Sequence, residues 1–193
     1  MYGGGVGIKA SAATLRNNVF SDMLLSAAGH GAGVGVTSGE VVIEGCDFIG
    51  NDASAAGGGL YAEESTVTVS QTQFLGNVAG SGGGMDGFKV DAVLTNVIFA
   101  GNEADNSTGG GLGMNFGTVL LTNATFYDNA TNASGGAMVL TNIDGAELYN
   151  VAMIGNAASS HGSAISHFTF FGAPTWRFNN GFGNTGPDEF WRV

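Results

Sequence analysis

The sequence predicts an all-β fold, a solenoid of short parallel strands, and three observations lead to this prediction. A Gly-rich turn recurs about every 26 residues, a period typical of stacked units that cannot bury their apolar faces alone. After each turn, apolar residues alternate with others in the period-two pattern of a strand. Glycine is abundant (35 of 193 residues) while hydrophobic residues make up 44% of the chain, which excludes a disordered Gly-rich linker.

Each repeat opens with the Gly-rich turn and closes with an apolar anchor, which an Asn follows three residues later in all repeats but the first, where Met23 takes its place. The turns begin at Gly3, Gly31, Gly57, Gly82, Gly109, Gly135 and Gly162. The anchors are Phe20, Phe48, Phe74, Phe99, Phe126 and Met153. The Asn residues, which we predict to be structural, are Asn51, Asn77, Asn102, Asn129 and Asn156.

Two strands are predicted in each repeat, one after the turn and one before the anchor. In the first strand, one core column contains Val6, Val34, Leu60, Met85, Leu112, Met138 and Ile165. The second core column contains Ile8, Val36, Ala62, Gly87, Met114, Leu140 and His167. The mixed set between them, expected on the outside, is Gly7, Gly35, Tyr61, Asp86, Gly113, Val139 and Ser166.

An amide side chain recurs at the bend between the second strand and the anchor. The column contains Asn17, Gln71, Asn96, Asn123 and Asn150, with Gly45 in the remaining copy. Stacked Asn and Gln side chains bond to their copies in cross-β structures. We therefore predict an internal ladder in which each amide bonds to its copy one coil away.

Coils of this length fit a single-domain, right-handed parallel β-helix of about seven coils of about 26 residues. Residues 1–166 are predicted to form the repeats. Residues 167–193 are aromatic-rich and are predicted to form a last coil that caps the solenoid or docks on another subunit. The chain opens in mid-repeat, so we interpret it as a fragment, a processed product or one segment of a longer solenoid.

The charge of the chain restricts its partners. The formal net charge is −11, with five Lys and Arg residues in total, whereas nucleic acids and anionic membranes need clustered basic residues. No apolar run approaches the length of a membrane span, so membrane insertion is not expected. We predict no cofactor and no catalytic or metal site, although Asp52, Glu103 and Asp105 could bind Ca²⁺ between coils. They lack the close alternation of a calcium loop, which favours solvated turn residues.

The turn and the Phe-x-x-Asn motif together carry a family resemblance. The clearest copy joins Gly57-Gly58-Gly59-Leu60 to Phe74-Leu75-Gly76-Asn77. These repeats resemble those of the polymorphic outer-membrane protein family over almost the whole chain, up to about Asn156. The resemblance implies an extracellular or cell-surface β-helix used in adhesion or as a passenger or filament structure.

Both ends of the chain contain apolar residues that could form an interface. These residues are Met23, Leu24, Leu25, Phe168, Phe170, Trp176, Phe190 and Trp191. Solenoid ends need a polar cap, or they pair. We predict either that the aromatic end buries the last coil or that subunits associate end to end in a fibril.

Four Asn-x-Ser/Thr sequons are candidate N-glycosylation sites if the chain is secreted in a glycosylating organism. Asn106 and Asn132 lie in connections and are expected to be open, and Asn129 is a further candidate acceptor. Asn123 belongs to the predicted internal ladder, so we expect it to be inaccessible.

The sequence leaves two functions open. The first is an extracellular structural or adhesive module that assembles end to end or continues into a longer solenoid. The alternative is a carbohydrate-binding or polysaccharide-degrading β-helix, with Tyr61, Trp176 and Trp191 as possible stacking platforms for sugars. A short His motif at His30 lacks the clustered Asp residues that hydrolysis on this fold would need, so we predict that the chain is not an enzyme.

Overall fold

The computed structural model describes residues 3–26, 28–168, 175–177, 179–188 and 190–192. Within these ranges every regular secondary-structure element is a β-strand. The strands pair in parallel, each with the equivalent strand one coil away, as in the register Val34 to Leu60 and Phe48 to Phe74. The predicted all-β parallel solenoid is therefore confirmed.

The first three coils have four strands each, and in the next three coils the first three strands merge into one. The separate strands are β1 (Val6–Lys9), β2 (Ala12–Arg16), β3 (Val19–Ser21), β4 (Leu24–Leu25), β5 (Val34–Thr37), β6 (Glu40–Glu44), β7 (Asp47–Ile49), β8 (Asp52–Ala56), β9 (Leu60–Glu63), β10 (Thr66–Ser70), β11 (Gln73–Leu75) and β12 (Val78–Ser81). The merged coils contain β13 (Met85–Ala100), β14 (Glu103–Ala104), β15 (Leu112–Tyr127), β16 (Ala130–Thr131), β17 (Met138–Ile154) and β18 (Ala157–Ala158). Beyond these six coils lie β19 (Ile165–Phe168), β20 (Thr175–Arg177), β21 (Asn180–Phe182) and, one rung further, β22 (Phe190–Arg192).

The strands stack into four faces. Face 1 contains β1, β5, β9, β19 and the first parts of β13, β15 and β17. Face 2 begins with β2, β6 and β10, face 3 begins with β3, β7 and β11, and both continue through the merged strands. Face 4 is a separate six-stranded sheet of β4, β8, β12, β14, β16 and β18. The sequence predicted two strands per coil, because it did not separate the strand that carries the anchor or the short strand after it.

At the corners between faces, the chain changes direction through single residues in the left-handed backbone conformation. At the corner between faces 2 and 3, φ lies between 50° and 61° at Asn17, Gly45, Gln71, Asn96, Asn123 and Asn150. Asn adopts this conformation more readily than most residues. The amides at this corner are exposed, which corrects the predicted internal position of the column, because their side chains leave the corner toward solvent. They still form a short surface ladder, in which Asn123 Nδ2 donates to Asn96 Oδ1 at 3.1 Å and Asn150 Nδ2 to Asn123 Oδ1 at 2.7 Å.

The Gly-rich turn between faces 4 and 1 requires glycine for steric reasons. Gly57 has a φ of +63°, and a Cβ atom at this position would lie 2.3 Å from the carbonyl oxygen of Leu60. A residue with a side chain would therefore be strained and would clash with backbone. This steric requirement explains why the Gly turns are the clearest feature of the repeat in the sequence.

The core is a stack of apolar columns, and the anchor Phe residues form its most regular part. The rings of Phe20, Phe48, Phe74, Phe99 and Phe126 stack with successive centroid distances of 4.9, 4.8, 4.6 and 4.8 Å. Each buried Phe contributes about 1.5–3 kcal/mol from burial, and each ring pair about 0.5–1.5 kcal/mol more. The rings stack although successive anchors are 25 to 28 residues apart in the sequence, so the differences in coil length are accommodated outside the anchor column.

A second ladder lies inside the solenoid at the Asn that follows each anchor. Asn51, Asn77, Asn102, Asn129 and Asn156 are fully buried. In each of the first four, Nδ2 donates to Oδ1 of the next Asn at 2.8–2.9 Å, and the backbone N–H donates to the same oxygen at 3.0 Å. All five also donate from Nδ2 to the anchor carbonyl one coil back, at 2.9–3.1 Å. The ladder thus joins neighbouring coils where the chain leaves face 3.

Candidate functional site

The outward surface of face 1 forms the floor of a groove. The middle column of this face points away from the core, as expected, but it is covered: Tyr61 is 6%, Val139 4% and Ser166 0% exposed. The segments that lead into the Gly turns flank this column and contribute His30, Ser81 and other residues to the wall. The resulting groove has a volume of about 300 Å³, at the lower end of the range for small-molecule sites.

Asp86 is the carboxylate on the groove floor. It lies in register between Tyr61 and Gly113, and its Oδ2 accepts a hydrogen bond from Ser81 Oγ at 2.9 Å. A Cβ atom on Gly113 would lie 2.6 Å from this oxygen, so the absence of a side chain there makes room for the carboxyl. Burial raises the pKa of Asp86 to about 6, although the hydrogen bond from Ser81 opposes the shift. Asp86 therefore titrates close to neutral pH while part of the residue stays open to the groove.

An aromatic pair lies at one end of the groove. The rings of His30 and Tyr61 are 4.5 Å apart between centroids, with an angle of 50° between their planes. Desolvation by burial lowers the pKa of His30, so the imidazole is neutral at pH 7. This end of the groove is thus aromatic, and its imidazole carries no positive charge.

The neighbouring outward column adds an aromatic surface and an amide. Phe88 and Asn115 lie in register on adjacent coils and both line the groove. Phe88 packs edge-on against Phe116 at 5.8 Å, and Lys89 Nζ lies 5.4 Å from the Phe88 ring centroid. The Oδ1 atom of Asn115 is buried, and no hydrogen-bond donor for it is found among the described residues. A buried acceptor of this kind favours a ligand that supplies a donor.

The groove therefore combines aromatic rings with neutral and acidic polar groups. Asp86 is the one carboxylate among the described residues that line it. Hydrolysis of a glycosidic bond generally uses two carboxylates, and the described lining supplies one. In the described part of the chain, no group of three or more His, Cys, Asp or Glu side chains is placed to hold a metal ion.

The candidate glycosylation sites differ in accessibility. Asn106 and Asn132 are exposed, and Asn132 Nδ2 donates to the carbonyl of Asp105 at 3.0 Å. The prediction of Asn129 as an acceptor is wrong for the folded protein, because Asn129 belongs to the buried ladder and is 0% exposed. Asn123, expected to be inaccessible, is exposed because its column lies outside the core.

The candidate end-interface residues are described only in part. Leu24 is 72% exposed and Phe190 53%, while Phe168 is half-buried. Leu25 is buried in a small apolar cluster, against which Met23 packs, and this burial removes Leu25 from a predicted interface. Phe170 and the side chains of Trp176 and Trp191 lie outside the described part of the structure.

Sequence reasoning missed Asp86, Asn115 and Phe88 as site residues. All three occupy outward positions of face 1, which alternation alone assigns to solvent. The available signal was the Gly at position 113, where an outward column loses its side chain directly beside an acidic residue. This feature can be recognised only when the register of neighbouring coils is known.

The comparison with protein families assigns the fold to a known class. The family model described as a right-handed beta helix region matches residues 4–170. The chain therefore belongs to the right-handed β-helix family, as the sequence predicted. No curated protein and no solved structure matches the chain.

Two further findings bear on the class of protein. Right-handed β-helix regions occur in enzymes and in non-enzymes, so membership in the family does not decide the activity. None of the described segments forms a helix with the length and apolar character that a membrane span requires.

Proposed function

We propose that this chain is a carbohydrate-binding β-helix whose groove on face 1 takes a short neutral glycan. The observation that carries the proposal is the buried, unsatisfied Oδ1 of Asn115 beside the Phe88 ring. Sugars present hydroxyl donors at their edges and apolar C–H surfaces on their faces. A sugar hydroxyl can donate to Asn115 Oδ1, and a C–H surface can pack against the Phe88 ring. Ser81, Thr108 and Thr141 add hydroxyl groups along the same groove.

The charge of the groove favours a neutral ligand. Asp86 is the carboxylate on the floor, and a chain with a net charge of −11 repels anionic polysaccharides. The groove extends from Tyr61 to Val139, which are three rungs apart, or about 14 Å along the axis. A short oligosaccharide fits this length better than a polymer bound along the whole solenoid.

The proposal includes an adhesive role at the cell surface or outside the cell. The resemblance of the repeats to polymorphic outer-membrane proteins supports this location, and a bound glycan on another surface supplies the adhesive contact. Assembly end to end stays a prediction, for which the exposed Leu24 is the available support. Turnover of the glycan is the less favoured alternative, because Asp86 lacks a second carboxylate among the described residues that line the groove.

A glycan array followed by titration calorimetry tests the proposal. We expect the wild type to bind neutral oligosaccharides, and Asn115→Ala to weaken binding roughly 2- to 10-fold because one hydrogen bond to a neutral group is lost. Phe88→Ala should weaken binding as well, whereas Thr68→Ala on face 2 is the matched control and should bind as the wild type does. Absence of binding to any glycan, or equal affinity in all variants, would overturn the proposal. Cleavage of a bound glycan that Asp86→Asn abolishes would replace it with an enzymatic function.

A further inference from the structure

Face 3 carries an unbroken apolar stripe on its outward side. The stripe has one residue per coil, paired in register from Ile49 through Leu75, Ala100, Tyr127 and Ile154 to Phe182. Tyr127 is 53% and Phe182 74% exposed, and Ile49 and Ile154 are 37% and 36% exposed. Contiguous exposed apolar surface of this kind marks interaction sites more often than scattered apolar residues do.

The same face is nearly free of charge. In coils three to seven, its segments 73–75, 98–100, 125–127, 152–154 and 180–182 contain no charged residue, although the whole chain has a net charge of −11. The carboxylates next to the stripe are Asp47 on the same face in coil two, Asp22 and Asp128 at the adjoining corner, and Asp52 and Glu103 at the start of face 4. Two copies of a strongly acidic chain can approach each other through such a face with the least repulsion.

We propose that two copies of this chain pack antiparallel through their stripes, about a two-fold axis between coils four and five. This axis places Ala100 opposite the partner's Tyr127, so that the largest central side chain meets the smallest one. It also places Leu75 opposite the partner's Ile154, and the two ends of the stripe opposite each other. The surface is thus complementary to itself, as an isologous interface requires.

The antiparallel order also separates the carboxylates. Asp47 shares its column with Asn180, five rungs away, and the two-fold axis brings Asp47 opposite the partner's Asn180. Asp128 comes opposite the glycine corner at Gly101. A parallel arrangement with the two-fold axis along the stripe would instead place each stripe residue opposite its own copy, so that Tyr127 meets Tyr127 and Ala100 meets Ala100. The match of side-chain sizes therefore favours the antiparallel dimer, in which these carboxylates also stay apart.

The size of the face sets the expected strength of the dimer. Six rungs about 4.8 Å apart and a width of about five extended residues give roughly 400 Å² per copy, about half of the area that a standard interface buries per partner. We therefore expect a weak dimer that forms at micromolar concentrations or above. Salt should strengthen it, because screening reduces the repulsion between two chains of charge −11.

Sedimentation velocity of the full chain at increasing protein concentration, in low and high NaCl, tests the association. We expect the wild type to dimerise with an affinity that rises with salt, and Tyr127→Lys to raise the dissociation constant at least 10-fold. Val93→Lys, at a residue of face 2 that is 38% exposed, adds the same charge elsewhere and should dimerise as the wild type does. A wild type that stays monomeric at all concentrations, or equal behaviour of the two variants, would overturn the proposal.

Cysteine cross-linking tests the order of the two chains. Under mild oxidation, the double variant Ile49→Cys/Phe182→Cys should form interchain disulfides, because these positions face each other across the axis at the two ends of the stripe. Either single variant should stay uncross-linked, since in the antiparallel dimer its cysteine is far from its own copy. Efficient cross-linking of Ile49→Cys alone would overturn the antiparallel arrangement. Both readouts are independent of the groove, so failure of the dimer and failure of glycan binding can be told apart.

Discussion

Ser81 and Asp86 are joined at the groove, where the Ser81 hydroxyl donates to the Asp86 carboxylate at 2.9 Å. One residue precedes the Gly turn and the other follows it, so the bond closes the turn across face 1. The surrounding protein raises the pKa of Asp86 to about 6, and the hydroxyl opposes this shift. The groove thus contains an acid whose charge changes near neutral pH, which has a measurable consequence for stability.

We expect the stability of the protein to fall as the pH rises from 4 to 7, because folding raises the pKa of Asp86. The folded protein holds the Asp86 proton more tightly than the unfolded chain, whose pKa lies near 3.8. The stabilising contribution is therefore complete below pH 3.8 and is lost as the pH passes through about 6. The shift corresponds to at most about 3 kcal/mol. Urea unfolding at several pH values should show this loss in the wild type and a smaller pH dependence in Asp86→Asn.

The Ser81→Ala variant provides a second check on the same group. Removal of the hydroxyl takes away the hydrogen bond that favours the ionised carboxylate, so the pKa of Asp86 should rise further. The loss of stability should then move to higher pH than in the wild type. Equal pH profiles for the wild type and Asp86→Asn would show that Asp86 does not titrate as the groove geometry implies.

Gly113→Ala should change the shape of the groove and leave the packing of the core unchanged. The new Cβ atom would lie 2.6 Å from Asp86 Oδ2, so the carboxyl must move. We expect a destabilisation of about 1–3 kcal/mol from overpacking, together with weaker glycan binding. Gly145→Ala is the matched control, because nothing lies within 4 Å of a Cβ at that position, and it should change the stability by less than about 0.5 kcal/mol. Thermal unfolding and calorimetric titration of both variants would decide the matter, and equal effects would contradict the role of Gly113.

Most of the fold could be predicted from the sequence, but little of the groove could. Alternation identified inward columns such as Leu60 and Met85, because burial inside a solenoid repeats with every coil. It placed Asn96 and its copies inside, although a left-handed corner directs them to solvent, since a column of amides looks alike in both positions. Asp86 could not be recognised as a site residue, because its environment depends on the neighbouring coil and on the segments that flank face 1. Properties set by one coil were thus predictable, and properties set between coils were not.

Asn102→Ala should be among the most destabilising single changes outside the Phe stack. It removes the acceptor of the Asn77 backbone N–H and of Asn77 Nδ2, and the donor to the Phe74 carbonyl. Asn102 Nδ2 also donates to Asn129 Oδ1, so four buried polar groups lose a partner, and we expect a cost of about 3–5 kcal/mol in unfolding free energy. Asn96→Ala, in the exposed amide column, should cost about 1 kcal/mol, mainly because Ala is less suited to a φ of 54°. Chemical denaturation of both variants compares the ladders directly, and similar losses would contradict the assigned difference in burial.

Glycan mapping of the chain secreted from a glycosylating host should separate the sequons by burial. We expect Asn106, Asn123 and Asn132 to be available as acceptors, because all three are exposed. Asn129 should be unmodified in the folded fraction, since its Nδ2 donates to Phe99 O and to Asn156 Oδ1 and has no room for a sugar. Attachment before folding would block the ladder, so chains modified at this position should appear only in misfolded material. Mass spectrometry of peptides from the monodisperse fraction measures the outcome, and a glycan on Asn129 in that fraction would contradict the buried ladder itself.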